Sequence, residues 1–210
     1  MKRVLLLMLF IGMITYSCKK DDPEENLKPF PAADYMQLKI GNYWVYQSYQ
    51  LDSAGNENPM SNVDSLIIIG DTTINGYKYF KKLSVLHDHV SYMRDSNGYL
   101  VDHLGKVFFS EHDFTNILRV DTIGPGLALA EYSMHEGDTL VNTPIGSFQS
   151  MEFRGKITAF DPQYPYGPQY TYSFYADGAG LVKSSYYLFY NPSLRVGQNL
   201  VSFGNTDHLP

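Results

Sequence analysis

The stretch that decides the fold is residues 65–103, SLIIIGDTTINGYKYFKKLSVLHDHVSYMRDSNGYLVDH. It contains two Asn-Gly pairs, Asn75-Gly76 and Asn97-Gly98, and each lies between short runs rich in Ile, Val, Tyr and Thr. Asn and Gly both tolerate the positive φ that a two-residue hairpin turn requires. The pairs therefore predict two β-hairpins, with strands directly before and after each pair.

The same pattern continues along the chain, because short apolar and aromatic runs recur between further turn signals. These signals are Ala54-Gly55, Gly105, Gly124-Pro125-Gly126, residues 162–168 and Asp177-Gly178. No segment of helical period interrupts them, so the fold is predicted to be all-β with about nine or ten strands.

A strand with one buried face is predicted at residues 170–175. Two sets of side chains alternate there, Tyr170, Tyr172 and Phe174 against Thr171, Ser173 and Tyr175. Single-sided alternation is typical of antiparallel sheets. We therefore expect an antiparallel meander that forms a curled sheet, a half-barrel or a barrel-like fold, with a β-sandwich as the alternative.

Composition bounds the class of protein. The chain has 210 residues, of which 44% are hydrophobic and 18% charged, and it contains a single Cys, which is typical of a globular domain without disulfides. Its formal net charge is -6. Because a basic surface is needed to hold nucleic acid or an anionic membrane, neither partner is expected.

The first 17 residues have the pattern of a secretory signal peptide. Lys2 and Arg3 precede the uncharged run 4–14, and small or polar residues follow up to Ser17. The run spans about 16 Å as a helix, well short of the roughly 30 Å of a bilayer core. Residues 1–17 therefore predict export rather than a permanent membrane span.

Ser17-Cys18 after this short apolar run resembles the lipobox of bacterial lipoproteins. The resemblance implies that Cys18 is diacylated, becomes the new amino terminus and anchors the protein in a membrane, since two or more acyl chains bind a bilayer stably. Ordinary cleavage after Ser17, which would leave an unmodified thiol, is the alternative.

Residues 18–33 are predicted to be the lipidated Cys followed by an acidic tether, and residues 34–210 a single β domain. The segment 19–25, KKDDPEE, resembles the charged stretch after the lipidated Cys in surface-exposed lipoproteins of Bacteroidetes-type bacteria. That resemblance implies an outer-membrane lipoprotein exposed on the cell surface, while a solvated spacer is the simpler interpretation. The prolines and polar residues predict a flexible tether with a mean reach of about 20 Å.

Three segments of the β domain repeat a short apolar entry followed by Gly, namely 38–44 (LKIGNYW), 134–140 (MHEGDTL) and 194–200 (LRVGQNL). We expect each Gly to supply a backbone kink at positive φ. Together with residues 174–183, FYADGAGLVK, these segments resemble a group of uncharacterised secreted β-rich lipoproteins. These motifs are structural and imply no activity.

His87-Asp88-His89 is the best candidate for a metal site. On an extended strand, His87 and His89 would project to one face about 6.6 Å apart, and a third ligand could come from His103 or from residues 111–113. The alternative is that these polar residues end a strand and enter a turn.

No catalytic motif is complete. The Gly-x-Ser-x-Gly pentad of a serine hydrolase is absent, and the second His of a zinc-protease helix is replaced by Thr139. A carboxylate pair of glycosidase type stays open, since its spacing is not visible in sequence. We predict no cofactor, and we favour a protein that is not an enzyme.

Tyrosine is abundant, with 18 residues, and the segment 160–170 groups Tyr164, Tyr166 and Tyr170 among prolines. Flat amphipathic rings are suited to stacking on sugars or peptides, although Tyr also packs on half-exposed strands.

Three functions follow as hypotheses. The first is a lipid-anchored envelope protein that binds a glycan, a peptide or a partner protein, and the second is a hydrolase of envelope polymers or polysaccharides. The third is a carrier of lipid or lipoprotein, which predicts an apolar cavity of several hundred Å³.

Overall fold

The computed structural model describes residues 35, 37–52, 54–162, 167–188 and 191–206. In this part of the chain one antiparallel sheet of 12 strands accounts for the fold, which confirms the all-β prediction. The strands are β1 (Asn42–Leu51), β2 (Glu57–Ile74), β3 (Tyr77–Ser84), β4 (His89–Asp95), β5 (Tyr99–Asp102), β6 (Val107–Ser110), β7 (Arg119–Ile123), β8 (Ala128–Thr143), β9 (Gly146–Ala159), β10 (Gln169–Ala176), β11 (Gly180–Leu188) and β12 (Asn191–Asn205).

The sheet consists of two meanders of six strands. Its order is β6-β5-β4-β3-β2-β1-β12-β11-β10-β9-β8-β7, so every hydrogen-bonded pair except one joins strands that are consecutive in the chain. The exception is β1 with β12, which joins the two meanders. The sheet curls into a nearly closed barrel, and the predicted meander is confirmed while the sandwich alternative is not.

Both predicted hairpins are present. Asn75 and Gly76 have φ of 52° and 82° and connect β2 to β3, whereas Asn97 and Gly98 have φ of 54° and 79° and connect β4 to β5. Each pair thus adopts positive φ at both residues, as its turn type requires. The count of nine or ten strands was too low, since the described residues form twelve, and a short strand such as β6, with four residues, shows almost no alternation.

The three repeated glycines do not share one role. Gly41 and Gly137 have φ of 89° and 91°, as expected, and Gly137 lies at the register shift between His135 and Thr139. Gly197 lies within β12 outside the positive-φ region. A Cβ atom at Gly197 would lie 2.5 Å from the Tyr49 hydroxyl oxygen, so close approach of a side chain explains this glycine.

Side chains connect the two edge strands of the barrel, β6 and β7. Lys106 Nζ lies 2.8 Å from Asp121 Oδ1, and Arg119 Nη1 donates to the Val107 carbonyl at 3.2 Å. The Arg119 guanidinium carbon also lies 4.8 Å from the centre of the Phe108 ring of β6. The edges therefore meet through ion pairs and cation–π contacts rather than through backbone hydrogen bonds.

Three aromatic side chains of β1 cross over β12 and donate hydrogen bonds to backbone carbonyls at β11. The pairs are Trp44 Nε1 to Ala179 O at 2.6 Å, Tyr46 Oη to Leu181 O at 2.7 Å and Tyr49 Oη to Ser184 O at 3.1 Å. Gly197 on β12 leaves the space through which the Tyr49 side chain passes. We call these three bonds the aromatic bridge.

Gly197→Ala should destabilise the protein, because the new methyl group would overlap the Tyr49 hydroxyl and the Ser184 carbonyl. Overpacking of this kind costs about 1 to 3 kcal/mol of unfolding free energy, which urea denaturation would measure. Gly167→Ala is the matched control, since nothing lies within 4 Å of a Cβ atom there. Equal stability of the two variants would contradict this account of Gly197.

Candidate ligand-binding site

A cavity of about 420 Å³ lies on the inner face of the barrel, where the first meander meets β10 and β11. Most of its walls are apolar or aromatic. These walls are formed by Trp44, Tyr46, Leu66, Met93, Leu100, Phe108, Tyr175 and Leu181. Trp44 and Leu100 are 2% and 1% exposed, so the floor of the cavity is part of the main hydrophobic core.

The polar side chains of the cavity come chiefly from β3, β4 and the end of β5. Lys82 faces Ser91 across the β3–β4 pair. Two positions before Lys82 in β3, Phe80 faces Met93, and two positions after it, Ser84 faces His89. Because successive side chains of a strand point to opposite faces, Lys82 shares the inner face with Phe80, and Lys81 points outward.

Lys82 is the chemically distinctive residue of the cavity. Burial lowers the pKa of its amine to about 8. Its amine makes no ion pair with any residue that the structure describes. The cavity thus contains a cation that no carboxylate of the described chain neutralises.

Two acids in this part of the barrel are engaged by backbone amides, namely Asp102, which lines the cavity, and Asp64, which contacts Ser84 of β3. Asp64 accepts hydrogen bonds from the Ser84 hydroxyl at 2.7 Å and the Leu86 amide at 2.9 Å. Asp102 Oδ1 accepts from the amides of Leu104 at 2.9 Å and Lys106 at 2.8 Å. Each carboxylate therefore stabilises the turn beside it, which explains why neither pairs with Lys82.

Two tyrosine hydroxyls complete the wall opposite Lys82. Burial raises the pKa of Tyr46 well above its usual value, and the neighbouring Tyr175 and Asp64 raise it further. Burial also raises the pKa of Tyr175 to about 12, although Arg119 opposes this rise. Both hydroxyls therefore stay protonated at neutral pH, and Tyr46 is engaged as a donor in the aromatic bridge.

Lys82→Met should remove a pH dependence of stability. The pKa of the amine is about 8 in the folded protein, against a reference value of 10.5 for the unfolded chain. Between these two pH values the unfolded chain binds more protons than the folded protein, so wild-type stability should rise from pH 8 towards pH 10. Chemical denaturation at several pH values would measure this rise. The other titratable groups around the cavity, which both proteins retain, are Tyr46, Asp64, His89, Tyr92, Asp102, His103 and Tyr175.

Lys81→Met is the control for this experiment, because it removes the neighbouring amine from the outer face. The rise should persist in Lys81→Met and be absent from Lys82→Met. A rise of the same size in both variants would show that another group causes it.

The hypothesis of a metal site assumes that His87 and His89 lie on one extended strand, and in the structure only His89 lies in a strand. His87 belongs to the exposed turn between β3 and β4, where Asp88 has φ of 46°, and His89 is the first residue of β4. His103 lines the cavity with His89, whereas His112 packs edge-on against Tyr99, 4.8 Å between ring centres. Within the described ranges no three His, Cys, Asp or Glu side chains group closely enough to hold a metal ion.

The remaining predicted site residues are divided between described and undescribed parts of the chain. Tyr170 lies near the start of β10, partly buried, with the Arg154 guanidinium 5.9 Å from its ring centre. Tyr164 and Tyr166 lie outside the described residues, as does Cys18. A ligand at the tyrosine segment and a lipid on Cys18 therefore stay predictions. None of the helical segments described is long and apolar enough to cross a membrane.

Sequence reasoning missed Lys82, although a signal for it was present. Lys81 and Lys82 are consecutive in the strand that is predicted directly after Asn75-Gly76. Since neighbouring side chains point to opposite faces, one of the two amines must enter the barrel. The pattern does not by itself tell which one, because Tyr79 and Phe80 make both faces of β3 aromatic.

No protein-family model and no curated protein sequence matches this chain. Two solved structures resemble it. One is a candidate lipoprotein of Parabacteroides distasonis, with a TM-score of 0.44 and 13% identity over 81% of this chain and 98% of that one. The other is a candidate exported protein with a YmcC-like fold from Bacteroides fragilis, with a TM-score of 0.43 and 14% identity over 80% and 97% of the two chains.

Proposed function

We propose that this protein is a lipid-anchored component of the bacterial cell envelope that binds a small apolar or amphipathic molecule inside its barrel. The observation that carries the proposal is the cavity of about 420 Å³, whose walls are mostly apolar. Pockets for small molecules typically measure about 300 to 1,000 Å³ and combine apolar walls with a few polar groups. Of the three functions considered from sequence, the carrier is the one that predicts such a cavity.

The cavity walls are rigid, which favours binding. The side chains that form the floor belong to the hydrophobic core. Trp44 and Tyr46 are fixed by their hydrogen bonds to the carbonyls of Ala179 and Leu181. A preformed site loses little conformational entropy when a ligand enters. Apolar surface that the folded chain leaves uncovered here would be buried by an alkyl chain or a ring.

The proposed location follows from the first 33 residues. The leader 1–17, Cys18 and the acidic tether 18–33 support export and lipid attachment, with the β domain on the outer surface of the outer membrane. An anchored domain on a tether can meet amphipathic molecules that leave or enter the bilayer.

Ligand entry into the cavity can be followed by fluorescence, because Trp44 is the only Trp of the chain and lines the cavity. Bromodecanol, a neutral probe whose bromine quenches indole on contact, should quench wild-type emission in a saturable way. Ser91→Phe should abolish saturable quenching, because the larger ring fills the space beside Lys82.

Thr158→Phe, which adds the same ring at an exposed position of β9, is the control and should keep wild-type quenching. Thermal melts would verify that both variants fold. The cavity would lose its proposed role if wild-type quenching did not saturate, or if Ser91→Phe bound the probe as well as Thr158→Phe.

Cys18→Ala should move the full-length protein from the membrane fraction to the soluble fraction, since the lipid-bearing thiol is removed. Cell fractionation followed by immunoblotting would measure the shift, with Ser17→Ala as a control that preserves a small residue before the Cys. Continued sedimentation of Cys18→Ala with membranes would contradict the proposed anchor.

A further inference from the structure

We infer that the ligand of the cavity is a fatty carboxylate, with its headgroup bound by the Lys82 amine and its alkyl chain among the apolar walls. This inference rests on the proposed function and names the class of ligand. It depends on three features of the cavity, namely the position of Lys82, the absence of a described counter-charge and the chemistry of the surrounding side chains.

Lys82 is the one Lys or Arg among the described residues that line the cavity, and most of the side chains around it are apolar. Ser91 faces Lys82 across the β3–β4 pair. Met93, two positions further along β4, faces Phe80 on one side and Asp102 on the other. A ligand with one charged group and an apolar body matches a single cation in such a lining, whereas a uniformly polar sugar does not.

The charge on Lys82 lacks compensation within the described chain. Removing a cation from water without a partner is costly, and the lowered pKa of Lys82 is one consequence of that cost. Asp64 and Asp102 are held at their turns by hydrogen bonds to backbone amides, and neither makes an ion pair with the amine. An anion that enters with the ligand would restore the balance and stabilise the protonated amine.

A carboxylate suits this site better than a phosphate. Phosphate sites usually supply several donors or more than one positive charge, as at helix N-termini and arginine clusters. Here the Lys82 amine is one cation, and the hydroxyl beside it, that of Ser91, already donates to the Lys82 carbonyl at 3.3 Å. One cation matches the single charge of a carboxylate.

The experiment compares three probes that have the same chain and different headgroups, decanoate, decanol and decyltrimethylammonium, each below its aggregation concentration. Trp44 fluorescence and isothermal titration calorimetry at pH 7 would give their affinities for the wild type, Lys82→Met and Lys81→Met. Removing a hydrogen bond to a charged group should weaken decanoate binding by about tenfold or more in Lys82→Met. Decanol should bind Lys82→Met and the wild type alike, and Lys81→Met should bind all three probes as the wild type does.

The outcomes separate this inference from the function on which it rests. Preference of the wild type for decanoate over decanol, lost in Lys82→Met, supports Lys82 as the headgroup site. Equal binding of decanoate and decanol, unchanged by Lys82→Met, overturns the headgroup assignment and leaves the apolar cavity as a binding site. Tighter binding of the cationic probe also overturns the assignment, and failure of all three probes to bind overturns both proposals. Decyl phosphate is a fourth arm, and clearly tighter binding of it than of decanoate would overturn the choice of a carboxylate.

Discussion

The aromatic bridge is the interaction on which the rest of the molecule depends. Its donors at positions 44, 46 and 49 and its acceptors at positions 179, 181 and 184 have the same spacing of two and then three residues. Where β1 pairs with β12 the register shifts between Val45 and Tyr46, and where β11 pairs with β10 it shifts opposite Phe174 and Tyr175. Despite these irregularities, three donors of β1 meet three carbonyls across the intervening strand β12.

The bridge fixes the one junction in the sheet that local sequence does not determine. All other strand pairs are formed by neighbours in the chain, whereas β1 and β12 lie far apart in sequence and must meet to join the two meanders. Closing such a long loop costs conformational entropy, and buried hydrogen-bonded aromatics offset that cost. Two of these side chains, Trp44 and Tyr46, also line the cavity, so the junction and the binding site share residues.

Two cations inside the barrel illustrate how the interior is used. Arg119 is covered by rings, with Tyr132 at 3.7 Å and Phe108 at 4.8 Å, and it pairs with Asp121 at 3.1 Å. Asp121 balances its charge, and Arg119 stabilises the place where β6 and β7 meet. Lys82 has neither rings stacked on it nor an ion pair among the described residues, and it faces a cavity. An ion-paired cation is explained by structure alone, whereas a cation without an ion pair next to an apolar space is explained by a ligand.

The sequence predicts the local features well, because each depends on the backbone conformation of a few consecutive residues. Asn75-Gly76 and Asn97-Gly98 specify their hairpins through backbone conformation, which neighbours in the fold hardly influence. Gly197 differs, since its role depends on Tyr49, a residue almost 150 positions earlier. Lys82 is intermediate, because strand alternation shows that one of two adjacent amines enters the barrel and only the tertiary structure shows which.

The cavity chemistry favours binding over hydrolysis. A hydrolase of the carboxylate type needs one acid that carries a proton and one that attacks or activates water. Asp64 and Asp102 instead accept hydrogen bonds from turn amides, which keep them from moving towards a substrate. Lys82 is then the group of the cavity whose charge a bound molecule can change. Because that group is a cation beside apolar walls, selectivity for an anionic amphiphile follows from the same residues that create the cavity.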